Sequence, residues 1–527
     1  MNNTSSEIRR PGGGRRRWFL AVVAALVVLG IGFAQLKPEL EQGARTWLSL
    51  AFGALGVLLV LIWFLLLSRY PLKVRGYSAA AIAAIAVLIS QTVRVTGSLD
   101  ATSLPRLGWR WTKTGDLTPS LPVPGPATTA GAPAATQIPE VPQFFGPQRD
   151  GTVRGAGLAR EWRSAPPKQL WRQAIGSGWS SFAVAGGRAF TQEQRGESEA
   201  VSCYDVMSGK LVWLHTQKAR FEEWQGGEGP RATPAVDRGL VFASGATGIL
   251  VCLEAATGRR VWSREVLREY HLANLQWGVS ASPLVYDETV VVTGGNSPGP
   301  TLLAYRRTTG EPLWRSGAGR ASYSSPLLAT LAGRRVVLAQ NAAALTAHDP
   351  ASGELLLEHA WASDRNPRAA QPVVLEGDRV FLSAGYGMGC LLLQIKAGAG
   401  GRLEAERIWK TTRMRNQFNS VAAREGYLYG LDDGVLACVE IGSGERKWRE
   451  GRYGGGQTLL VDDLIVIQSE PGPVALAEAK PGGFRETGRL AALASKTWNY
   501  PVLAGRHLLV RNDREAVCYE LPLAAGR

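Results

Sequence analysis

The sequence has almost none of the short signatures that mark an enzyme. No CxxC or HExxH spacing is present, and no GxxxxGK[ST] phosphate loop occurs, so the familiar metal and nucleotide motifs are excluded. Cysteine is scarce, at five residues in 527. None lies near the N-terminus, where a lipoprotein would need one for acylation. Cys203, Cys252 and Cys438 each stand six residues before a glycine, a slot that Ala304 and Ala347 fill elsewhere, and Cys518 lies in the same local pattern. A small residue recurring in separate modules is a packing position, and cysteines that far apart do not reach disulfide distance. No metal site is expected.

A concentrated basic face is also missing. The formal net charge is +15, but residues 1–95 hold eleven Lys/Arg against three Glu, and residues 96–142 are balanced. About +7 remains for residues 143–527. Spread over so long a segment, that charge favours weak attraction to anionic surfaces and no nucleic-acid partner.

What is present is a repeat. Its clearest form is a small residue, a hydrophobe and an acid, then Ser/Thr-Gly with a tryptophan four residues after the glycine: Ser208-Gly209 to Trp213, Thr257-Gly258 to Trp262, Thr309-Gly310 to Trp314, Ser443-Gly444 to Trp448. Ser352-Gly353 leads to Leu357, where the ring is lost. Adding the looser Trp171, Trp409 and Trp498 gives eight ring positions, spaced 39 to 52 residues apart. That period predicts the blades of a β-propeller, each a four-stranded sheet.

Each copy carries an earlier strand, as in Thr233-Pro234-Ala235-Val236 and Ser282-Pro283-Leu284-Val285. Proline opens five of these eight strands; lacking a donor, it should be the first residue of a strand lining the channel. A β-branched strand follows, such as Thr289-Val290-Val291-Val292-Thr293, and the tryptophan marks the fourth. The last copy has no tryptophan strand of its own after Tyr519, so Gln169-Leu170-Trp171-Arg172 is expected to supply it and close the ring with both termini. The ring residues are expected to fill the wedges between blades while each N–H meets a backbone acceptor.

The first hundred residues are of another kind. Apolar runs at 18–36, 47–67 and 77–93 approach the roughly 20 residues that a bilayer core requires. A single cleaved leader would end near Ala34, but two further runs follow it. Arg9, Arg10, Arg15, Arg16 and Arg17 precede the first run, and Arg69, Lys73 and Arg75 lie between the second and third. The positive-inside rule then places the N-terminus in the cytoplasm and everything after the third span outside it. The expected plan is a basic tail at 1–17, a membrane domain at 18–95, a Pro/Ala-rich stalk at 96–142 and a propeller at 143–527.

The Ser/Thr-Gly-x-x-x-Trp repeat, with Phe144-Phe145-Gly146-Pro147-Gln148-Arg149-Asp150-Gly151 ahead of it, resembles the quinoprotein-like (PQQ-like) β-propeller family over roughly residues 143–527. That family includes PQQ-dependent dehydrogenases and non-catalytic, BamB-like scaffolds. The resemblance therefore implies an all-β, eight-bladed propeller behind three transmembrane helices, with two classes of function open.

A site would lie where the loops from each tryptophan strand to the next blade meet at one mouth of the channel. Those loops carry Trp179, Arg231, Trp277, Tyr323, Arg415, Asn419 and Gln457. Arginine forks and aromatic faces suit an anionic or planar ligand, and equally a protein-binding surface. The preferred expectation is a monomeric scaffold in the inner (cytoplasmic) membrane with a periplasmic propeller, binding envelope proteins or an anionic small ligand and needing no cofactor. The alternative is a PQQ-dependent sugar or alcohol dehydrogenase passing electrons to quinone. It would need PQQ and Ca²⁺, with Glu223, Glu228 and Asn274 as candidate metal ligands, Asp364 as base and Trp277 as the aromatic floor.

Overall fold

The computed structural model describes residues 13–37, 40–111, 138–361 and 367–524. It divides into two compact units, Met1–Lys113 and Thr114–Arg527.

The first unit is built on three helices, α1 (Gly13–Leu36), α2 (Gln42–Ile62) and α3 (Leu72–Thr92), with a π-helical turn, Trp63–Leu67, extending α2. Each contains a segment long and apolar enough to cross a membrane: Trp18–Leu36, Gln42–Leu67 and Leu72–Thr92. Small residues let α1 and α2 approach closely. A Cβ on Gly30 would lie 2.6 Å from the Phe52 ring, the kind of contact that holds helices together where apolar burial gives no advantage. A short hairpin of Val93–Ser98 and Pro105–Trp109 follows α3, occupying the start of the stretch expected as a stalk.

The second unit is an eight-bladed β-propeller. The innermost strands of blades 1 to 8 begin at Ala183, Ala235, Leu284, Leu327, Val373, Ala422, Gln457 and Val502. Blade 2 is representative: Ala235–Asp237, Leu240–Ser244, Ile249–Glu254 and Arg260–Glu265 pair antiparallel in sequence order. Blade 8 takes its outer strand, Lys168–Ala174, from the segment ahead of blade 1, with Cys518 opposite Trp171. Both ends of the propeller therefore share one sheet, and no open array edge remains at the join.

The repeat motif has a plain steric cause. The Ser/Thr-Gly glycine has a left-handed backbone, as at Gly258 (φ 72°), and a Cβ there would lie 2.5 Å from the Trp213 ring of the preceding blade. Only glycine satisfies both constraints. The stacked indole then donates its Nε1–H to a carbonyl in the next blade: Trp171 to Val206, Trp213 to Ala255, Trp262 to Arg307, Trp314 to Pro350, Trp409 to Ile441 and Trp448 to Lys480, at 2.7–3.2 Å. Directly across the strand pair sits a small residue, as in Cys203 opposite Trp213 and Ala304 opposite Trp314. This fixes the cysteine slot. All five thiols are free and buried, and burial pushes Cys203, Cys252 and Cys518 up to about 12, so they stay protonated and inert.

Trp498, expected as the eighth ladder residue, is not in the ladder. The outer strand of blade 7 is Glu486–Leu490, and the residue in ladder register, opposite Leu476, is Gly488. Trp162, from the segment before the propeller, packs its buried ring onto Gly488 instead. Blade 7 has exchanged its own indole for one delivered from outside the repeat, so periodicity alone pointed to the wrong tryptophan.

The prolines correct a second expectation. Pro234, Pro283, Pro326, Pro372 and Pro501 each lie just before the innermost strand rather than in it. The hydroxyl residue ahead of the proline bridges blades: the Ser181 N–H donates to Thr233 Oγ1, the Thr233 N–H to Ser282 Oγ and the Ser282 N–H to Ser325 Oγ, at 2.8–3.1 Å. Ser181 Oγ in turn donates to the Tyr500 carbonyl at 2.6 Å, linking blade 1 to blade 8. Proline fits here because its missing N–H is not needed by a strand that has not yet begun.

The segment Ile138–Leu158 touches the innermost strands, or the residues just ahead of them, in several blades. Val141 and Val184 exchange backbone hydrogen bonds, Thr152–Val153 pairs parallel to Leu460–Val461 of blade 7, and Phe144 and Phe145 pack edge-on against Tyr500. Arg149 is buried there, donating to the carbonyls of Pro283 at 2.8 Å and Ser282 at 3.2 Å. Burial pushes this guanidinium down to about 9.

Candidate interaction face

The loops leaving each outer strand gather at one mouth of the channel, and several of the expected site residues are part of its scaffolding. Arg415 is buried, pairing through Nε (2.9 Å) and Nη2 (3.3 Å) with the carboxylate of Asp432. Asn419 accepts from Asn416 Nδ2 at 2.8 Å, and Gln457 donates to the Trp498 carbonyl at 2.9 Å. These three residues tie the loops of blades 5 to 8 together.

Trp179 holds a more central position. Its Nε1 donates to the Gly226 carbonyl, and its ring lies 5.0 Å from Trp498, which lies 5.0 Å from Phe418. Lys496 stands 4.2 Å above the Trp498 ring, and the Trp498 Nε1 donates to Glu470 Oε1 at 2.7 Å. The tryptophan misplaced by periodicity is thus the middle of an aromatic cluster at the mouth.

Arg231, Trp277 and Tyr323 come together beside it. The Trp277 and Tyr323 rings are 5.3 Å apart. Arg231 lies over Phe221 at 4.7 Å and donates to the carbonyls of Gly227 and Gly229; burial lowers its pKa to about 10, partly opposed by the charges of Glu223 and Glu199. Trp277 and Tyr323, with Leu275, Gln276, Arg320 and Arg368, line a cavity of about 350 Å³. Burial pushes the Tyr323 hydroxyl up to about 12, so it enters this pocket as a neutral donor. Next to it a two-residue ladder, Glu222–Glu223 with Gly227–Glu228, projects Trp224, whose surface is 49% exposed. The pocket and the projecting indole come from different blades, which is why no single stretch of sequence displays them.

The residues proposed to hold Ca²⁺ are spent locally. Glu223 Oε2 accepts the N–H groups of Gln225 and Gly226, Glu228 pairs with Arg220 at 2.6 Å, and Asn274 bonds to the Ala246 carbonyl and the Leu275 N–H. Among the described residues no group of three or more His, Cys, Asp or Glu is placed to hold a metal. Asp364, the expected base, lies outside the described residues. The hydroxyl bridges between blades 1 to 4, the Trp162–Gly488 exchange and Arg149 were absent from the expected set, although the Ser/Thr before Pro234, Pro283 and Pro326 was a readable signal for the first.

Repeat, blade number and closure define an eight-bladed β-propeller. Its sequence is similar to that of BamB propellers. Residues 197–450 match the family model described as outer membrane protein assembly factor BamB. The chain is 22% identical over 376 residues to the outer membrane protein assembly factor BamB of Shewanella oneidensis, an alignment covering 66% of this chain and 86% of that protein. Its fold is similar to that of BamB from Moraxella catarrhalis (TM-score 0.50, 15% identity, 67% of this chain and all of that one). The quinohemoprotein alcohol dehydrogenase of Comamonas testosteroni is similar too (TM-score 0.53, 11% identity, 72% of this chain and 80% of that one).

Proposed function

We propose that this protein is a membrane-anchored, extracytoplasmic propeller that serves as a protein-interaction scaffold in the bacterial cell envelope. The observation that carries the reading is the mouth: an exposed indole, Trp224, beside a 350 Å³ pocket walled by Trp277, Tyr323 and Arg320. Trp, Tyr and Arg around a pocket are the residues that anchor protein interfaces. The similarity to BamB, an outer membrane protein assembly factor, supports the same reading. The reading needs no cofactor and a single copy of the chain. The arginines ahead of Trp18, with Arg69, Lys73 and Arg75, favour an inner-membrane anchor with a cytoplasmic N-terminus and a periplasmic propeller.

A photo-crosslinking amino acid at Trp224 or Gln276 in living cells tests this. Defined adducts with envelope proteins are expected from these positions, and none from a control at Arg485. Equal crosslinking from all three would overturn the docking assignment. A reporter active only in the periplasm should work when fused after residue 110 and be silent at Pro71; the reverse pattern would overturn the orientation.

A further inference from the structure

Asp432 ends the second strand of blade 6, Tyr427–Asp432, and is completely buried. Three guanidiniums converge on it. Arg415 comes from the loop leaving blade 5, and Arg446 and Arg449 from the outer strand of blade 6, on either side of Trp448. If Arg415 and Asp432 are taken as one neutral pair, Arg446 and Arg449 are positive charges without a match. Arg413, from the same loop as Arg415, adds a third; its Nη1 donates to the Gly444 carbonyl at 3.3 Å.

The geometry is that of a prepared anion site rather than of loose surface arginines. Arg449 is fixed by Nε to Asp432 Oδ2 at 2.6 Å and by Nη2 to the Asp432 carbonyl at 2.9 Å. Arg446 uses only Nη1 on Asp432, at 3.1 Å. The side chains remain 35% and 26% exposed, so Arg446 Nε and Nη2 and Arg449 Nη1 are available to a ligand. Repulsion among these groups is already visible: burial first, and then Arg449, Arg415 and Arg413, hold Arg446 below its ordinary pKa despite the opposing pull of Asp432. A carboxylate would cancel one of the surplus charges, whereas a phosphoryl group offers more charge and several acceptor oxygens to guanidinium donors.

We propose that Arg413, Arg446 and Arg449, gathered about Asp432 and the Gly444 carbonyl of blade 6, bind a phosphoryl group, carried either by free phosphate or by a phospholipid headgroup. The site shares the Arg415–Asp432 brace with the mouth, but the proposal does not depend on the scaffold reading.

The test uses the full chain in nanodiscs of neutral phosphatidylcholine, titrated calorimetrically at constant ionic strength with inorganic phosphate and, separately, with soluble dihexanoylphosphatidylglycerol. Saturable binding of one ligand is expected: inorganic phosphate if the source is the free ion, the short-chain lipid alone if it is a headgroup. Arg446→Gln combined with Arg413→Gln should weaken that binding by about tenfold or more, the loss expected for charged hydrogen bonds. Arg446→Lys should retain part of it, and Arg485→Gln should change nothing. If the double variant melts early, Arg413→Gln alone, which removes only one carbonyl contact, must still weaken binding. Absence of saturation by both ligands, or wild-type binding in a normally melting double variant, would overturn the proposal.

Discussion

Trp171 lies opposite Cys518 in blade 8, its Nε1 donating to the Val206 carbonyl of blade 1 at 2.7 Å. One residue therefore completes the last blade and wedges it against the first. It is as buried as Trp262 in the interior of the repeat, at 8% exposure each. Trp171→Ala should therefore cost about the same as Trp262→Ala, roughly 3–5 kcal/mol for an emptied aromatic site. Chemical denaturation of both variants checks this, and a silent Trp171→Ala would contradict closure through this strand.

The Trp162–Gly488 exchange makes a compensatory prediction. Trp162→Ala should destabilise by about 3–5 kcal/mol. Gly488→Trp alone should also destabilise, because a Cβ there already lies 2.7 Å from the Trp162 ring. Combined, the two changes restore a ladder indole in its ordinary register, so the double variant should melt above either single one. A double variant worse than both would show that the space at Gly488 is not equivalent to the other ladder sites.

These two positions also show what the sequence could reveal. The blades were legible because a left-handed glycine under an indole is a local requirement repeated at a fixed spacing, and each instance leaves a mark. Trp162 leaves no such mark, since its partner is a glycine more than three hundred residues away. The mouth was legible only as a list of loop residues. Whether a loop arginine faces a ligand or a buried carboxylate depends on a strand in another part of the blade, as Arg415 and Asp432 demonstrate. Trp179, Arg231, Trp277 and Tyr323 look alike with Arg415 in sequence, and only the fold separates pocket walls from internal braces.

His348 gives the propeller a pH dependence of definite sign. It is fully buried, with Nδ1 2.8 Å from Ser316 Oγ, and burial lowers its pKa to about 4. The unfolded chain takes up this proton near pH 6.5, while the folded one resists until about 4. The unfolded state thus binds more protons in that window, and stability falls as the pH drops from about 6.5 towards 4. The shift corresponds to ~3 kcal/mol. His348→Gln should reduce that slope in denaturation midpoints measured between those pH values, leaving the share of His215, His359 and His507, whose pKa values burial also lowers; an unchanged slope would assign it to other groups.

The mouth separates the scaffold reading from the dehydrogenase reading. Trp224 and Trp277 sit on loops whose contribution to the propeller core is small, so Trp224→Ala with Trp277→Ala should abolish co-purification of envelope proteins while shifting the melting temperature little. Adding PQQ and Ca²⁺ to the wild-type protein should leave the melting temperature where it is, because Glu223, Glu228 and Asn274 already have hydrogen-bonding or ionic partners. A bound cofactor would instead stabilise by about 2.7 kcal/mol at a hundredfold excess over its dissociation constant. A saturable, Ca²⁺-dependent rise of that size, lost in the double variant and accompanied by dye reduction with a sugar or alcohol, would replace the scaffold with an oxidoreductase.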